Sequence, residues 1–178
     1  MSGAAVKIEG LSFSYGERTA LDNVSFEVAN GAVFGLLGPN GGGKTTLFHI
    51  LSTLFPYQTG KVRVLGRDPL AERAAVRASI GVVFQNPSLD GKLTVRENLE
   101  HHGHLYGMRG QELRERIAAA LATVAIDDRG QDTVETLSGG LKRRVELAKA
   151  MVSRPKLLIM DEPSTGLAPG ARRDLRNY

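Results

Sequence analysis

Apolar and polar residues alternate at Val6 and Ile8 and, after an intervening Gly10, at Leu11 and Phe13, and again at Val24, Phe26 and Val28. A period of two marks strands with one buried face, so these segments are expected to pair as antiparallel strands. Lys61-Val62-Arg63-Val64-Leu65 repeats the pattern and is expected to continue that sheet. Three other runs are apolar without alternation: Ala32-Val33-Phe34-Gly35-Leu36-Leu37, residues 80–84 and residues 157–160. They fit strands buried on both faces of a parallel sheet. Helical spacing takes over where Val95, Leu99, His102 and Tyr106 share one face, Leu113, Ile117, Ala120, Leu121 and Val124 a second, and Leu141, Val145, Ala148 and Val152 a third. Thr94-Val95-Arg96-Glu97 is a capping box, in which threonine and glutamate satisfy each other's backbone donors at a helix start. The fold class is therefore mixed α/β.

Candidate chemistry sharpens this picture at Gly38-Pro39-Asn40-Gly41-Gly42-Gly43-Lys44-Thr45, which fits the phosphate-loop pattern G-x-x-x-x-G-K-[ST]. It follows an apolar run and precedes the helix-like Thr46-Leu47-Phe48-His49-Ile50-Leu51, the strand–loop–helix context that the chemistry requires. Glycines let successive N–H groups turn inward around an anion, and the helix adds its positive end. Lys44 can reach outer phosphates, while Thr45 can offer its hydroxyl to Mg²⁺. The loop implies a nucleoside triphosphate ligand.

Composition removes other classes. With 178 residues and 42% hydrophobic content, the chain can pack one domain's core. No run reaches the roughly 18 apolar residues of a membrane span, and nothing at the N-terminus reads as a signal peptide. The absence of cysteine excludes disulfides and thiolate metal sites and suits a reducing compartment, so a cytosolic location is expected. A net charge of +4 would permit nucleic-acid binding. However, the basic residues are mixed with acids, as in Arg109-Gly110-Gln111-Glu112-Leu113-Arg114-Glu115-Arg116, which reads as a solvated helix face with partners at i+3 and i+4. No nucleic-acid partner is expected. His101 and His104 could face one way on a helix, but no carboxylate or thiol nearby completes a metal set, so a partner-facing or solvated helix is favoured. His49 reads as packing.

Three segments follow the phosphate loop in order: Ile80-Gly81-Val82-Val83-Phe84-Gln85, Leu137-Ser138-Gly139-Gly140, and Lys156-Leu157-Leu158-Ile159-Met160-Asp161-Glu162. Together with the loop they resemble the nucleotide-binding domain of ATP-binding cassette (ABC) proteins, with Walker A, Q-loop, signature, Walker B and D-loop in family order over about residues 6–167. The resemblance implies a P-loop NTPase (RecA-like) α/β core with a mixed or parallel sheet, an N-terminal antiparallel β subdomain and an inserted helical subdomain at about 87–153. Residues 1–178 would form one such domain. The wording of Ser88-Leu89-Asp90, of residues 93–99 and of Leu105-Tyr106-Gly107 is most similar to ATPase subunits of the ABC-2 type, often exporters of drugs, lipids or polysaccharides.

The resemblance also implies roles. ATP would be held by Gly38, Pro39, Asn40, Gly41, Gly42, Gly43, Lys44, Thr45 and Thr46, with Tyr15 stacking on adenine, although a strand-end tyrosine read alone is packing. Asp161 ends an apolar strand where a lone carboxylate is costly, and a cation is its natural partner; by resemblance it holds Mg²⁺ through water, with Thr45 and Gln85 completing the shell. Glu162 would be the general base that polarises the attacking water. Ser138 reads as an N-cap, and Gly139 and Gly140 expose N–H groups at a helix start. In the family this cradle closes on ATP held by a second copy, so a head-to-tail homodimer is implied. An integral membrane permease is the other implied partner, which sets the expected place at the inner face of the cell membrane.

Three departures from the family pattern stand out. Leu141 replaces the usual glutamine or methionine of the signature, and Ala168 stands where the D-loop of Ser164-Thr165-Gly166-Leu167-Ala168-Pro169 normally has aspartate. The family's switch histidine and last strands would lie beyond Tyr178. The reading is the ATP-hydrolysing subunit of an ABC transporter. Its alternatives are a nucleotide-binding and dimerisation module without efficient turnover, and a soluble ABC ATPase acting on nucleic acid or ribosomes.

Overall fold

A computed structural model describes residues 3–161, which fall into two compact units, one ending at Ile80 and one beginning at Gly81. The first is built on a sheet of order β2-β1-β3, with β1 at Ala4–Tyr15, β2 at Arg18–Ala29 and β3 at Thr59–Val64. Both pairings are antiparallel, as the alternation predicts. The change of phase seen in the sequence is a bulge: the register shifts between Ile8 and Leu11, where Gly10 takes φ 62° and donates its N–H to Ser25 Oγ at 2.8 Å. An extra residue at that point returns Leu11 and Phe13 to the face already buried by Val6 and Ile8. Helix α1 (Lys44–Leu51) buries Leu47, Phe48, Ile50 and Leu51. A short helix α2 (Arg73–Arg77), which the sequence pattern does not signal, is anchored by Arg77 donating to Thr53 Oγ1 and its carbonyl at 2.6 and 3.1 Å.

One expectation is overturned here. Residues 33–37 form no strand, and Val33 and Leu37 are 101% and 94% exposed. A strand exists only through a ladder to a neighbour. This run has the side chains of a buried strand without such pairing, and Phe34 merely stacks on Phe26 at 5.2 Å.

The second unit contains β4 (Ile80–Val83) and β5 (Leu157–Met160), paired side by side, with three α-helices and two short 3-10 turns in the intervening chain. Gly81 is required by close approach: a Cβ there would press on the Ala150 carbonyl oxygen at 2.7 Å. The helices are α3 (Val95–Leu105), α4 (Gly110–Thr123) and α5 (Gly139–Met151). Val95, Leu99, Ile117, Leu121, Val145 and Ala148 from their predicted stripes form one core. Thr94 caps α3 as a complete box: its Oγ1 accepts from Glu97 N–H at 3.2 Å, and its own N–H donates to the Glu97 carboxylate at 2.7 Å. On α4 the expected i+4 ion pair joins Glu112 to Arg116 at 2.7 Å.

Three details depart from the sequence pattern. Phe84 lies beyond the end of β4, the residues of β5 are only partly buried where burial on both faces was expected, and Tyr106 is the C-cap of α3, although its ring still meets His102 of the predicted stripe with centroids 5.0 Å apart. The chain turns at Gly107 (φ 76°) just after Tyr106. Among the described residues, no helix is long and apolar enough to cross a membrane.

Candidate functional site

The phosphate-loop glycines occupy backbone conformations that their sequence position predicts. Gly41 and Gly43 take φ 80° and 81°. At Gly43 a second constraint is added, because a Cβ would collide with the Ala20 carbonyl oxygen and the Leu21 side chain of β2. The loop tightens further where Gly42 N–H donates to the Pro39 carbonyl at 3.1 Å. Gly43 is the N-cap of α1, which has neither a side-chain cap nor an acid in its first turn. A helix start left uncapped and free of acidic side chains suits an anion. Lys44 bends back so that Nζ donates to the Gly38 and Pro39 carbonyls, both at 2.8 Å, which holds its ammonium over the loop. Gly38, Asn40 and Thr45 are exposed, whereas Thr46 is buried.

Tyr15 stands at the end of β1, about half exposed, edge-on to Phe13 with centroids 5.0 Å apart. Its hydroxyl lies 3.3 Å from Thr46 Oγ1. Packing and exposure therefore coexist at this ring, and the geometry is compatible with either sequence reading. His49 joins the same aromatic cluster through Phe55, with centroids 4.8 Å apart.

In the second unit, Gln85 is exposed just past β4, and Asp161, just past β5, is buried. Asp161 N–H donates to the Val83 carbonyl at 2.9 Å, which sets the two strand ends side by side. Glu162, Ala168 and the D-loop lie outside the described residues. Ser138 caps α5, its Oγ accepting from Leu141 N–H at 3.4 Å. Gly139 is exposed, with nothing within 4 Å of where a Cβ would stand. Neither packing nor a positive φ demands glycine there, which leaves space for a close external approach. Among the described residues no group of three His, Asp or Glu side chains could hold a metal by itself.

A polar row on α5 was missed in the sequence. Arg143, Glu146 and Lys149 recur every three residues along a helix otherwise read by its apolar stripe, and all three are buried. Arg143 donates to the Phe84 carbonyl at 2.6 Å and to the Asp161 carbonyl at 3.2 Å. Glu146 accepts from Ser88 N–H at 2.5 Å and from its hydroxyl, and Lys149 donates to the Ser88 carbonyl at 2.8 Å. Burial lowers the Arg143 and Lys149 pKa values from their usual ranges, opposed at both by the Glu146 carboxylate. Periodicity of charge at i, i+3 and i+6 was the available signal. It points inward here, where such rows usually face solvent.

Near this row a concave surface of about 420 Å³ is lined by Asp90, Leu93, His101, His102, Leu105 and Lys149, among others. Burial pushes the His102 imidazole down to about 4, with a smaller contribution from the Lys149 ammonium. His101 and His104 are exposed.

The chain is similar to the daunorubicin resistance ATP-binding protein DrrA3 of Streptomyces coeruleorubidus, 41% identical over 98% of this chain and 55% of that protein. It is likewise similar to the Nod factor export ATP-binding protein I of Paraburkholderia xenovorans (strain LB400), 45% identical over 97% of this chain and 57% of the relative. It thus spans a little over half the length of the curated relatives it matches. Among solved structures, cbiO1 from Clostridium perfringens, part of the ABC transporter complex cbiONQ, superposes with a TM-score of 0.89 at 29% identity, covering 98% of this chain and 71% of that one. The profile of the ABC transporter family matches residues 21–165, and with the α/β P-loop fold and the motifs in that order, this chain belongs to the ABC transporter family.

Proposed function

We propose that the chain is the nucleotide-binding domain, over residues 1–178, of an ATPase subunit that energises export through a separate membrane permease. The observation that carries this reading is the phosphate loop: left-handed Gly41 and Gly43, an uncapped α1, and an ammonium at Lys44 held over the loop. Backbone N–H groups and Lys44 bind the triphosphate of ATP, and Tyr15 stacks on its base. Mg²⁺ suits the oxygen donors of Thr45, Gln85 and the buried Asp161, and when bound it neutralises charge developing on the phosphates. Glu162 holds the proton of the attacking water as general base. Ser138, Gly139 and Gly140 face ATP on a second copy of the chain, a role supported by the unneeded glycine at 139. The Nod factor export ATP-binding protein among the relatives supports the direction of transport, and the ABC transporter complex that contains cbiO1 supports a permease partner. Membership of such a complex would place the subunit on the cytoplasmic face of the membrane.

The binding arm is tested by titrating a fluorescent ATP analogue into the protein and into Lys44→Ala. Loss of the charge-assisted contacts should weaken affinity by about 2 kcal/mol or more. Unchanged affinity in a folded Lys44→Ala protein would overturn the assignment.

A further inference from the structure

Arg143 reaches the two backbone positions that matter most for the proposed chemistry. Its guanidinium donates to the carbonyl of Phe84, the residue before Gln85, and to the carbonyl of Asp161, the residue before Glu162. The strand ends are already tied by Asp161 N–H donating to Val83 at 2.9 Å, so Arg143 closes a link among α5, β4 and β5. The same helix holds the far end of the glutamine segment, because Glu146 and Lys149 grip the backbone N–H and carbonyl of Ser88. Residues 85–87 are thus strung between two points fixed by α5, while Gln85 itself is exposed. Arginine presents its donors as a rigid planar fork, so that separate nitrogens of Arg143 reach the carbonyls just past the ends of β4 and β5, whereas lysine offers them from a single atom.

Resting on the ATPase reading above, we propose that Arg143 is a positioning residue that sets Gln85, and the Asp161 end of β5 beside it, in register with the helix opened by Ser138. Its role falls on hydrolysis, since its guanidinium holds the chain at Phe84 and at Asp161, beside the groups proposed to act on the metal and the attacking water. The shorter bond goes to Phe84, so the larger part of the effect passes through Gln85.

The test is a double-mutant cycle in the full-length protein assembled with its membrane partner, combining Arg143→Met and Arg143→Lys with Gln85→Ala. Equilibrium binding of a fluorescent ATP analogue, kcat at saturating Mg-ATP and a thermal melt are read for each variant. Arg143→Met is expected to lower kcat by about 10-fold to 100-fold with ATP affinity within about 3-fold, as loss of reacting geometry does. Arg143→Lys, which keeps one of the two donations, should recover part of that loss. In the Gln85→Ala background the same Arg143→Met change should cost less than about 3-fold, because its main route is already cut. If Arg143→Met does not fold, Arg143→Lys carries the cycle under the same criterion. Full multiplication of the two effects, or parallel losses of affinity and kcat, would overturn the positioning role while leaving the ATPase reading standing. A wild-type protein that binds but never hydrolyses ATP would overturn both.

Discussion

Gly43 carries two independent demands at one residue: a φ of 81° and contact with the backbone of β2 that leaves no room for a Cβ. The motif explains the first, while only the packing reveals the second. Gly43→Ala should therefore destabilise the protein by about 2 kcal/mol or more, beyond the roughly 1 kcal/mol of a left-handed alanine alone, as urea unfolding can measure. His102 makes the opposite kind of statement, since its sequence gave a helix-face position and the structure adds a charge state. With its pKa pushed to about 4 from the ordinary 6.5, the unfolded chain takes up a proton in that window while the folded chain does not. Above 6.5 the imidazole is neutral in both states and contributes nothing; as pH falls from 6.5 towards 4, stability is lost. Between pH 7 and pH 5, His102→Gln should lose less stability than the parent by on the order of 1 to 2 kcal/mol in paired urea titrations.

Among the elements, α3 and α5 show why some helices announce themselves more fully than others. The start of α3 is written locally, since Thr94 and Glu97 satisfy each other's donors without help from distant chain. Thr94→Ala should remove about 1 kcal/mol, visible as a lower urea midpoint with unchanged slope. Helix α5 depends on remote partners: Glu146 is fully buried and meets Ser88 across 58 residues of sequence. Glu146→Ala leaves the ammonium of Lys149 buried without its carboxylate, and should cost about 3 kcal/mol in the same measurement. If both substitutions proved equally mild, the polar row of α5 would be solvated and not a structural tie.

At the scale of the whole molecule, the proposed reaction calls for a general base and for a second copy of the chain. A Glu162→Gln substitution removes the proposed base while keeping its shape, so ATP should still bind while turnover falls about 10²-fold or more. In the full-length protein this variant should accumulate as an ATP-dependent dimer, which light scattering with and without ATP would detect. A parental hydrolysis rate in Glu162→Gln would remove that residue from the chemistry.

What could be read without coordinates was whatever physics is local. The β1–β2 alternation with its Gly10 bulge, the capping box and the stripes of α3, α4 and α5 all depend on neighbours within a few residues, and each occurs where its pattern predicts. The family motifs were likewise legible as short words in order. Tertiary structure decided the matters that depend on distant partners. An apolar run at 33–37 looked like a buried strand, yet composition cannot supply the ladder that makes one, and Val33 and Leu37 are exposed. Arg143, Glu146 and Lys149 drew no reading beside the apolar stripe of their helix, because no sequence spacing shows that Phe84, Ser88 and Asp161 come to meet them. Desolvation and hydrogen-bond partnership are properties of the packed environment, so the burial of that row and the low pKa of His102 arise only when remote segments close around them.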